Sequence, residues 1–277
     1  MQHLRMRDTR TTEGVTSGMM TGRNDTGTGA QEGFWTIILA AGKGKRMRSD
    51  LAKVLHPVCG VPMLIHSVVA ARAAGARKIV VVVGHQAERI RGLFGKDELI
   101  FVEQHDLLGT GHAVLQAREV FKNYTGNVVI LCGDVPLIQP KTVQALYNRH
   151  RSEEAVVTVL TTIPAEPAGY GRVVKAKDGR VLKIVEEKDA TTEEKQIREI
   201  NTGIYCVESR FLFGAVKSLG NRNAQGEYYL TDIIEFAFNN GRRVISAPAS
   251  DPEEVMGINT REELEKACRR MEARGRQ

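Results

Sequence analysis

Ile37-Ile-Leu-Ala-Ala-Gly-Lys-Gly-Lys-Arg-Met-Arg-Ser-Asp-Leu-Ala-Lys53 is the stretch on which the fold turns. Ile37, Ile38 and Leu39 follow one another without polar alternation, the pattern of a strand covered on both faces in a parallel sheet. The run opens into Ala40-Ala41-Gly42-Lys43-Gly44. Small side chains there allow a tight turn and let backbone N–H groups approach a bulky anion. Lys43, Lys45, Arg46 and Arg48 come in quick succession, and Lys53 stands a few residues on. A strand, a small-residue loop and a row of cations make a cradle for a triphosphate. Without its strand the same loop reads as a surface turn with solvated charge; strand context and charge density favour phosphate. Two other phosphate motifs are excluded. The dinucleotide fingerprint needs a third glycine where Met47 stands, and the Gly-Lys-Ser/Thr of a P-loop is absent.

Around this stretch the composition is that of a globular protein. The chain has 277 residues, 42% of them hydrophobic, enough to bury a core in one large domain or one and a half. No apolar run approaches the roughly 18 residues of a membrane span, and no secretory signal opens the chain. A net charge of +6 with only 5% aromatic residues fits a polyphosphate ligand better than nucleic acid. Cys59, Cys132, Cys206 and Cys268 are widely spaced, which reads as reduced structural thiols in a cytoplasmic protein. Residues 1–33 are polar and rich in glycine and threonine, without helical or strand period, and read as a disordered tail. Met6, Met19 and Met20 are alternative starts.

Downstream, strands and helices alternate. A strand over Thr36–Ala40 is followed by a helix opened by Pro62 and closed by Gly75, with Leu64, Val68 and Ala71 on one face. Strands over Lys78–Val83 and Leu99–Val102 enclose a short helix over Ala87–Phe94. His85, in the turn between, is read as structural rather than catalytic. A helix runs from Gly109 to Lys122, a strand spans Asn127–Cys132, a helix starts at Pro140, and a strand spans Ala155–Thr161. This order predicts an α/β fold with a mostly parallel sheet and ligands at the carboxyl ends of its strands. The pattern then changes. Tyr170–Ala176 and Arg180–Glu186 flank Asp178-Gly179, a hairpin signal, so an antiparallel insertion is expected. Further on come a strand over Ile204–Val207, a helix over Ile233–Asn239 and an edge strand over Arg243–Pro248. Thr260 and Glu263 form a capping box for a last helix with Leu264, Ala267, Cys268 and Met271 as its apolar stripe.

Three further positions carry chemistry. Gln104, in a strand-end loop, offers an amide donor beside an acceptor, suited to a base edge or simply to water. Asp134 follows a buried strand beside Gly133, placed for a metal bridging phosphate oxygens or for a turn. Asn259, just before the last helix, reads as a helix-entry residue, and its neutral amide is a weak metal ligand by itself.

Several motifs in order resemble the sugar-phosphate nucleotidyltransferase family. They are Leu39-Ala-Ala-Gly-Lys-Gly-Lys-Arg-Met47, Ala52-Lys-Val-Leu-His56, Gly60-Val-Pro-Met63, Gly109-Thr-Gly-His-Ala113, Gly133-Asp-Val-Pro-Leu137, Asn223-Ala-Gln-Gly-Glu-Tyr-Tyr-Leu-Thr-Asp232 and Met256-Gly-Ile-Asn-Thr-Arg261. The similarity is closest to the N-terminal uridyltransferase domain of the bacterial bifunctional N-acetylglucosamine-1-phosphate uridyltransferase/glucosamine-1-phosphate acetyltransferases. The resemblance implies a Rossmann-like fold of the nucleotide-diphospho-sugar transferase type over residues 34–277. It implies nucleotide binding by Leu39, Ala40, Ala41, Gly42, Lys53, Gln104, Gly109, Thr110, Cys132, Gly133 and Asp134. It implies catalytic roles for Arg46 and Lys53, sugar contacts from Gly171, Glu186, Asn201 and Asn259, and Mg2+ on Asp134 and Asn259.

Lys45 departs from the family's usual threonine, Ala52 from a proline, and Cys132 from a frequent tyrosine. No hexapeptide repeats of the family's β-helical acetyltransferase half occur, so uridyl transfer without acetyl transfer is expected. The expected substrates are UTP and N-acetylglucosamine 1-phosphate, with UDP-N-acetylglucosamine and pyrophosphate as products and no nucleic-acid or membrane partner. A same-fold enzyme using another base or sugar, and a non-catalytic sugar-nucleotide-binding module, stay open; the oligomeric state is not legible.

Overall fold

The computed structural model describes residues 33–95 and 98–275, apart from the side chain of Lys45. Apart from Gly33, the tail expected over residues 1–33 lies outside the described residues. Strand β1 (Phe34–Ala40) leads through the basic loop and a 3-10 turn over Lys53–Leu55 into a small hairpin, β2 (Pro57–Val58) and β3 (Val61–Pro62). Then follow α1 (Met63–Ala73), β4 (Ala76–Val83), α2 (Ala87–Arg91), β5 (Ile100–Glu103), α3 (Thr110–Gln116), α4 (Arg118–Phe121), β6 (Asn127–Cys132), α5 (Pro140–Ser152) and β7 (Val157–Thr162). The later part contains β8 (Arg172–Lys175), β9 (Val181–Val185), β10 (Ile200–Glu208), α6 (Ser209–Ala215), α7 (Asp232–Asn239), β11 (Val244–Pro248) and α8 (Arg261–Arg274).

The main sheet has the order β11-β7-β10-β6-β1-β4-β5. β1 lies between β4 and β6 and is parallel to both, with Ile37 opposite Val80 on one side and Ile130 on the other. This central place explains why its apolar residues do not alternate with polar ones. Ile38 faces a core shared with Leu64 and Val68 of α1 and Leu146 of α5. Ile37 faces the opposite core, with Val114 of α3, Leu212 of α6 and Ile233 of α7. A third, smaller cluster gathers Val58, Met63, Leu137, Ile258 and Ala267 around α8.

The expected α/β architecture and hairpin insertion are present: β8 and β9 pair antiparallel, and Gly179 takes φ +84° in their turn. Three details differ. The helix expected to run to Lys122 breaks at Ala117 into α3 and α4. β10 enters antiparallel between β6 and β7, which its residue pattern alone does not disclose. The cysteines are not four separate thiols: Cys59 and Cys268, 209 positions apart, form a disulfide with a Cα–Cα distance of 5.2 Å, and only Cys132 and Cys206 are free. Wide sequence spacing hid a spatial neighbourhood made by α8 folding back on the β2–β3 hairpin. No helix among the described residues is long and apolar enough to cross a membrane.

Candidate active site

The strand order reverses at β1: the chain builds β4 and β5 on one side of it and β6 on the other. Loops leaving the carboxyl ends of β1 and β6 therefore part company there and open a crevice. A cleft of about 600 Å³ occupies that position. Leu39 and Ala40 line it from β1 and Ala41 and Gly42 from the loop that follows, Gln104 from just past β5, Gly109 and Thr110 from the entry to α3, Cys132 from β6 and Asp134 from just past it. Arg46, Lys53 and Asn259 also line it. Gly133 is the one expected nucleotide residue that does not line it. Its N–H donates to the Leu39 carbonyl at 2.9 Å, and a Cβ there would stand 3.1 Å from that oxygen. Gly133 thus lets β6 and β1 close together beneath the cleft.

Charge converges at one end. The Lys53 ammonium forms an ion pair with Asp134 and donates to Asn259 Oδ1 at 2.7 Å. Arg46 Nη2 donates to the same Asn259 oxygen at 2.7 Å. These four side chains come from three segments separated by up to 213 positions. The loop bearing Lys53 is pinned by Gln86, whose Oε1 accepts from Ala52 N at 3.0 Å while its Nε2 donates to the Asp50 carbonyl at 2.8 Å. Gly44, at φ +70°, passes so close that a Cβ would lie 2.5 Å from Lys53 Cβ. The Asn259 segment is tied to Asp134 through its backbone, Ile258 N donating to the Asp134 carbonyl at 2.9 Å. The Glu263 carboxylate accepts from Asn259 N and from Thr260 N, so the capping box of α8 also orients Asn259. Tyr170, outside the cleft lining, feels the charges at this end. Its hydroxyl is pushed up to about 12, chiefly by burial, with Glu263 and Asp134 adding and Arg46 opposing.

At the other end Gln104 is almost fully buried. Its Nε2 lies 3.0 Å from the Gly109 carbonyl and 3.0 Å from His112 Nδ1. The 108–111 loop is itself held by the Glu227-Tyr-Tyr-Leu run: Tyr228 N donates to the Leu108 carbonyl and Gly111 N to the Tyr228 carbonyl, both at 2.8 Å. His85 plays no part in the cleft lining; its ring nitrogen faces the Asp50 carbonyl at 3.4 Å.

Gly171, Glu186 and Asn201 form a second group outside the cleft lining. Asn201 N donates to the Gly171 carbonyl at 2.8 Å, and a Cβ on Gly171 would lie 3.4 Å from Glu186 Oε2. Burial raises the Glu186 carboxyl above the ordinary range; the Thr231 hydroxyl, donating at 3.1 Å, opposes this, and Asp232, Asp189 and Glu227 reinforce it. Arg172, buried, pairs with Glu187 at 2.9 Å, and Glu187 accepts from Gly169 N at 3.0 Å, so this pair clamps the Gly-Tyr-Gly turn. The group adjoins the cleft through Cys132, whose thiol donates to the Gly203 carbonyl at 3.3 Å. Burial first, then the Asp134 carboxylate, raises the Cys132 thiol, which is therefore un-ionised. Asn259, expected to serve both sugar and metal, stands with Asp134 rather than with this group. Gln86, Tyr170, Arg172 and Glu187 were not foreseen as site supports; their partners are distant in sequence, and only the Glu263 capping spacing was visible beforehand.

Comparison with known proteins identifies the family and the fold. Residues 36–198 match the model of the MobA-like NTP transferase domain. The bifunctional protein GlmU of Geobacter metallireducens is 55% identical over 84% of this chain and 49% of its own length. The bifunctional protein GlmU of Desulfotalea psychrophila is 46% identical over 82% of this chain and 67% of its own. The chain spans about half the length of most of the curated relatives it matches. A crystal structure of UDP-glucose pyrophosphorylase complexed with UDP-glucose superposes with a TM-score of 0.71 over 87% of this chain and 99% of the other, at 16% identity, and shares the fold. A switch-point cleft lined by the strand-end loops and a family match over more than half of the chain lead to one conclusion: this protein belongs to the MobA-like NTP transferase domain family.

Proposed function

We propose that this nucleotidyltransferase joins UTP to N-acetylglucosamine 1-phosphate, forming UDP-N-acetylglucosamine and releasing pyrophosphate. The observation that carries the reading is the meeting of Arg46, Lys53, Asp134 and Asn259 at one end of a cleft large enough for a nucleotide. Similarity to proteins named bifunctional GlmU over 84% of the chain supports the choice of substrates.

A phosphate oxygen of the sugar phosphate attacks the α-phosphorus, and the bond to pyrophosphate breaks, its electron pair leaving with pyrophosphate. The attacking oxygen is already anionic, so no general base is needed. Catalysis is alignment plus neutralisation of charge. Lys53 and Arg46 stand where a triphosphate lying along the Ala40–Gly44 loop would present its anionic oxygens. The loop's small residues let the chain approach those oxygens closely. At the far end the amide nitrogen of Gln104 is engaged within its own loop, which leaves its carbonyl as an acceptor. Such an acceptor favours a base with a ring N–H, as in uracil, over cytosine, whose corresponding nitrogen is itself an acceptor.

A divalent cation fits the chemistry of the donors. Asp134 and Asn259 present hard oxygens that already converge on one positive charge, the Lys53 ammonium. Asp134 and Asn259 would hold Mg2+, which when bound neutralises charge on the phosphates. Glu186 and Asn201, close to the cleft by way of Cys132 and Gly203, would orient sugar hydroxyls, with the Gly171 backbone beside them, where a Cβ would meet Ile184 Cγ2 at 2.9 Å.

Pyrophosphate release measured over a panel of nucleoside triphosphates and sugar 1-phosphates tests the reading. The expected outcome is preference for UTP with N-acetylglucosamine 1-phosphate and loss of about 10²–10³-fold in rate for Asp134→Ala. Equal turnover of other pairs overturns the substrate assignment, and full magnesium-dependent activity of Asp134→Ala overturns the mechanism.

A further inference from the structure

Lys53 and Asn259 meet at the cleft, and the segments carrying them meet a second time elsewhere. Six residues after Lys53 the chain reaches Cys59, in the turn of the β2–β3 hairpin. Nine residues after Asn259 it reaches Cys268, midway along α8. The two cysteines are bonded, with Cα atoms 5.2 Å apart. Between the two meeting points Val58 and Ala267 belong to one small apolar cluster. The hairpin and α8 are thus held at the cleft by a lysine–asparagine contact and at the far end by sulfur.

The hairpin turn is built in an unusual way. Cys59 and Gly60 take φ +48° and +81°, both left-handed, as a two-residue turn between short antiparallel strands requires. Asn-Gly or Asp-Gly is the ordinary choice; a cysteine in the first position is uncommon there and turns attention to its side chain. Cys59 is exposed and Cys268 is partly so, so both are within reach of a small thiol reagent. Neither residue lines the cleft.

We propose that Cys59 and Cys268 are a reversible thiol–disulfide modification site whose closure holds the Asn259 segment against Lys53 and so raises the affinity of the cleft for a metal–nucleotide. The inference rests on the reading of Lys53 and Asn259 as parts of the phosphate site. The chemistry is exchange with a low-molecular-weight disulfide. In the open form the Cys59 thiolate attacks one sulfur of the reagent; a mixed disulfide forms and one small thiolate leaves. The Cys268 thiolate then attacks the Cys59 sulfur, the protein disulfide forms, and the second small thiolate leaves. Two protein thiols give up two protons and two electrons, and one small disulfide becomes two small thiols. A dithiol reductant runs the exchange backwards. In the open form α8 keeps its apolar contacts but loses the covalent tie, so the lever bearing Asn259 is held less firmly.

The test uses the full chain equilibrated with mixtures of reduced and oxidised glutathione, in magnesium and a zinc-selective chelator. The chelator is needed because Cys59, Cys268 and Glu272 offer ligand atoms within 4.8 Å of one another. Mass spectrometry of unreduced peptides follows the Cys59–Cys268 link. Calorimetric titration with UTP follows affinity independently of turnover. The expected result is a link that opens and closes with the glutathione ratio, and UTP binding about 5-fold or more tighter in the closed form. Cys59→Ser and Cys268→Ser should each bind like the open form and ignore the ratio. A merely structural bond would change the melting midpoint without changing UTP affinity, and that result overturns the proposal. So does failure of the link to form. Absence of UTP binding in both states overturns the site reading and the proposal together, whereas equal binding in both states overturns the proposal and leaves the site reading standing.

Discussion

Lys53 holds two oxygens at once, and both belong to the residues that would hold a cation: it pairs with Asp134 and donates to Asn259 Oδ1 at 2.7 Å. In the free protein it keeps that oxygen pair from facing each other uncompensated. In the proposed reaction it would become a charge for the phosphates. Replacing it removes both services. Lys53→Ala is expected to lower the rate of pyrophosphate release by about 10²–10³-fold, the usual loss for one electrostatic contact to a charge-building transition state. Lys53→Arg should restore little, because a planar fork does not reproduce a compact ammonium. Steady-state rates of the two variants decide the matter; near-complete rescue by arginine would mean that only net charge counts here. The cation row itself was legible in the sequence, since Lys43–Lys53 is dense in charge beside a strand. The partners of Lys53 were not, because Asn259 lies 206 positions away.

Helix ends carry two further tests. The first turn of α8 begins at a capping box whose Glu263 also accepts from Asn259 N. Glu263→Ala should cost about 1 kcal/mol of stability through the lost cap and should also raise the KM for magnesium. Glu263→Gln keeps an acceptor oxygen and should recover most of the stability. If both variants left the magnesium dependence untouched, Glu263 would be a cap and nothing more. The first turn of α7 holds Asp232, whose carboxyl is raised from 3.8 to about 6, chiefly by burial and then by Glu235 and Asp189. The folded chain thus binds this proton more tightly than the unfolded one. The stabilisation is complete below about pH 4 and is lost as pH rises through about 6. Asp232→Asn cannot titrate, so its melting midpoint should exceed that of the wild type at neutral pH and match it in acid; parallel pH profiles would remove Asp232 as the source. These ends were legible to different degrees. Thr260 with Glu263 is a local spacing that sequence displays, whereas the burial of Asp232 comes from tertiary packing, and Asp189, distant in sequence, adds to the rise.

The molecule as a whole joins two halves of unlike character. The parallel half, β5-β4-β1-β6, was readable from its continuous apolar runs and strand-end glycines, because each βαβ unit is local in sequence. The other half depends on β10, whose antiparallel insertion between β6 and β7 is a long-range choice that local pattern does not express. That insertion puts the cleft beside the Gly171, Glu186 and Asn201 group, and Gly203 of β10 lies at the seam between them. Within β10 the pairing with β7 shifts register between Asn201 and Tyr205, and Gly203, at φ +78°, lies inside the irregularity. Its N–H donates to Asn201 Oδ1 at 3.0 Å, and its carbonyl accepts from the Cys132 thiol. A Cβ on Gly203 would stand 2.9 Å from Cys132 Sγ, so alanine meets both a strained backbone and an occupied space. Gly203→Ala should therefore destabilise by about 1–3 kcal/mol. It should also displace Asn201 relative to the cleft, and since Asn201 belongs to the proposed sugar group, the KM for N-acetylglucosamine 1-phosphate should rise more than the KM for UTP. Chemical denaturation gives the first quantity and two-substrate kinetics the second. An equal rise in both KM values would indicate general loosening rather than a seam between two binding groups. A variant as stable as the wild type would show that Cys132 moves aside freely and that the register shift tolerates a side chain.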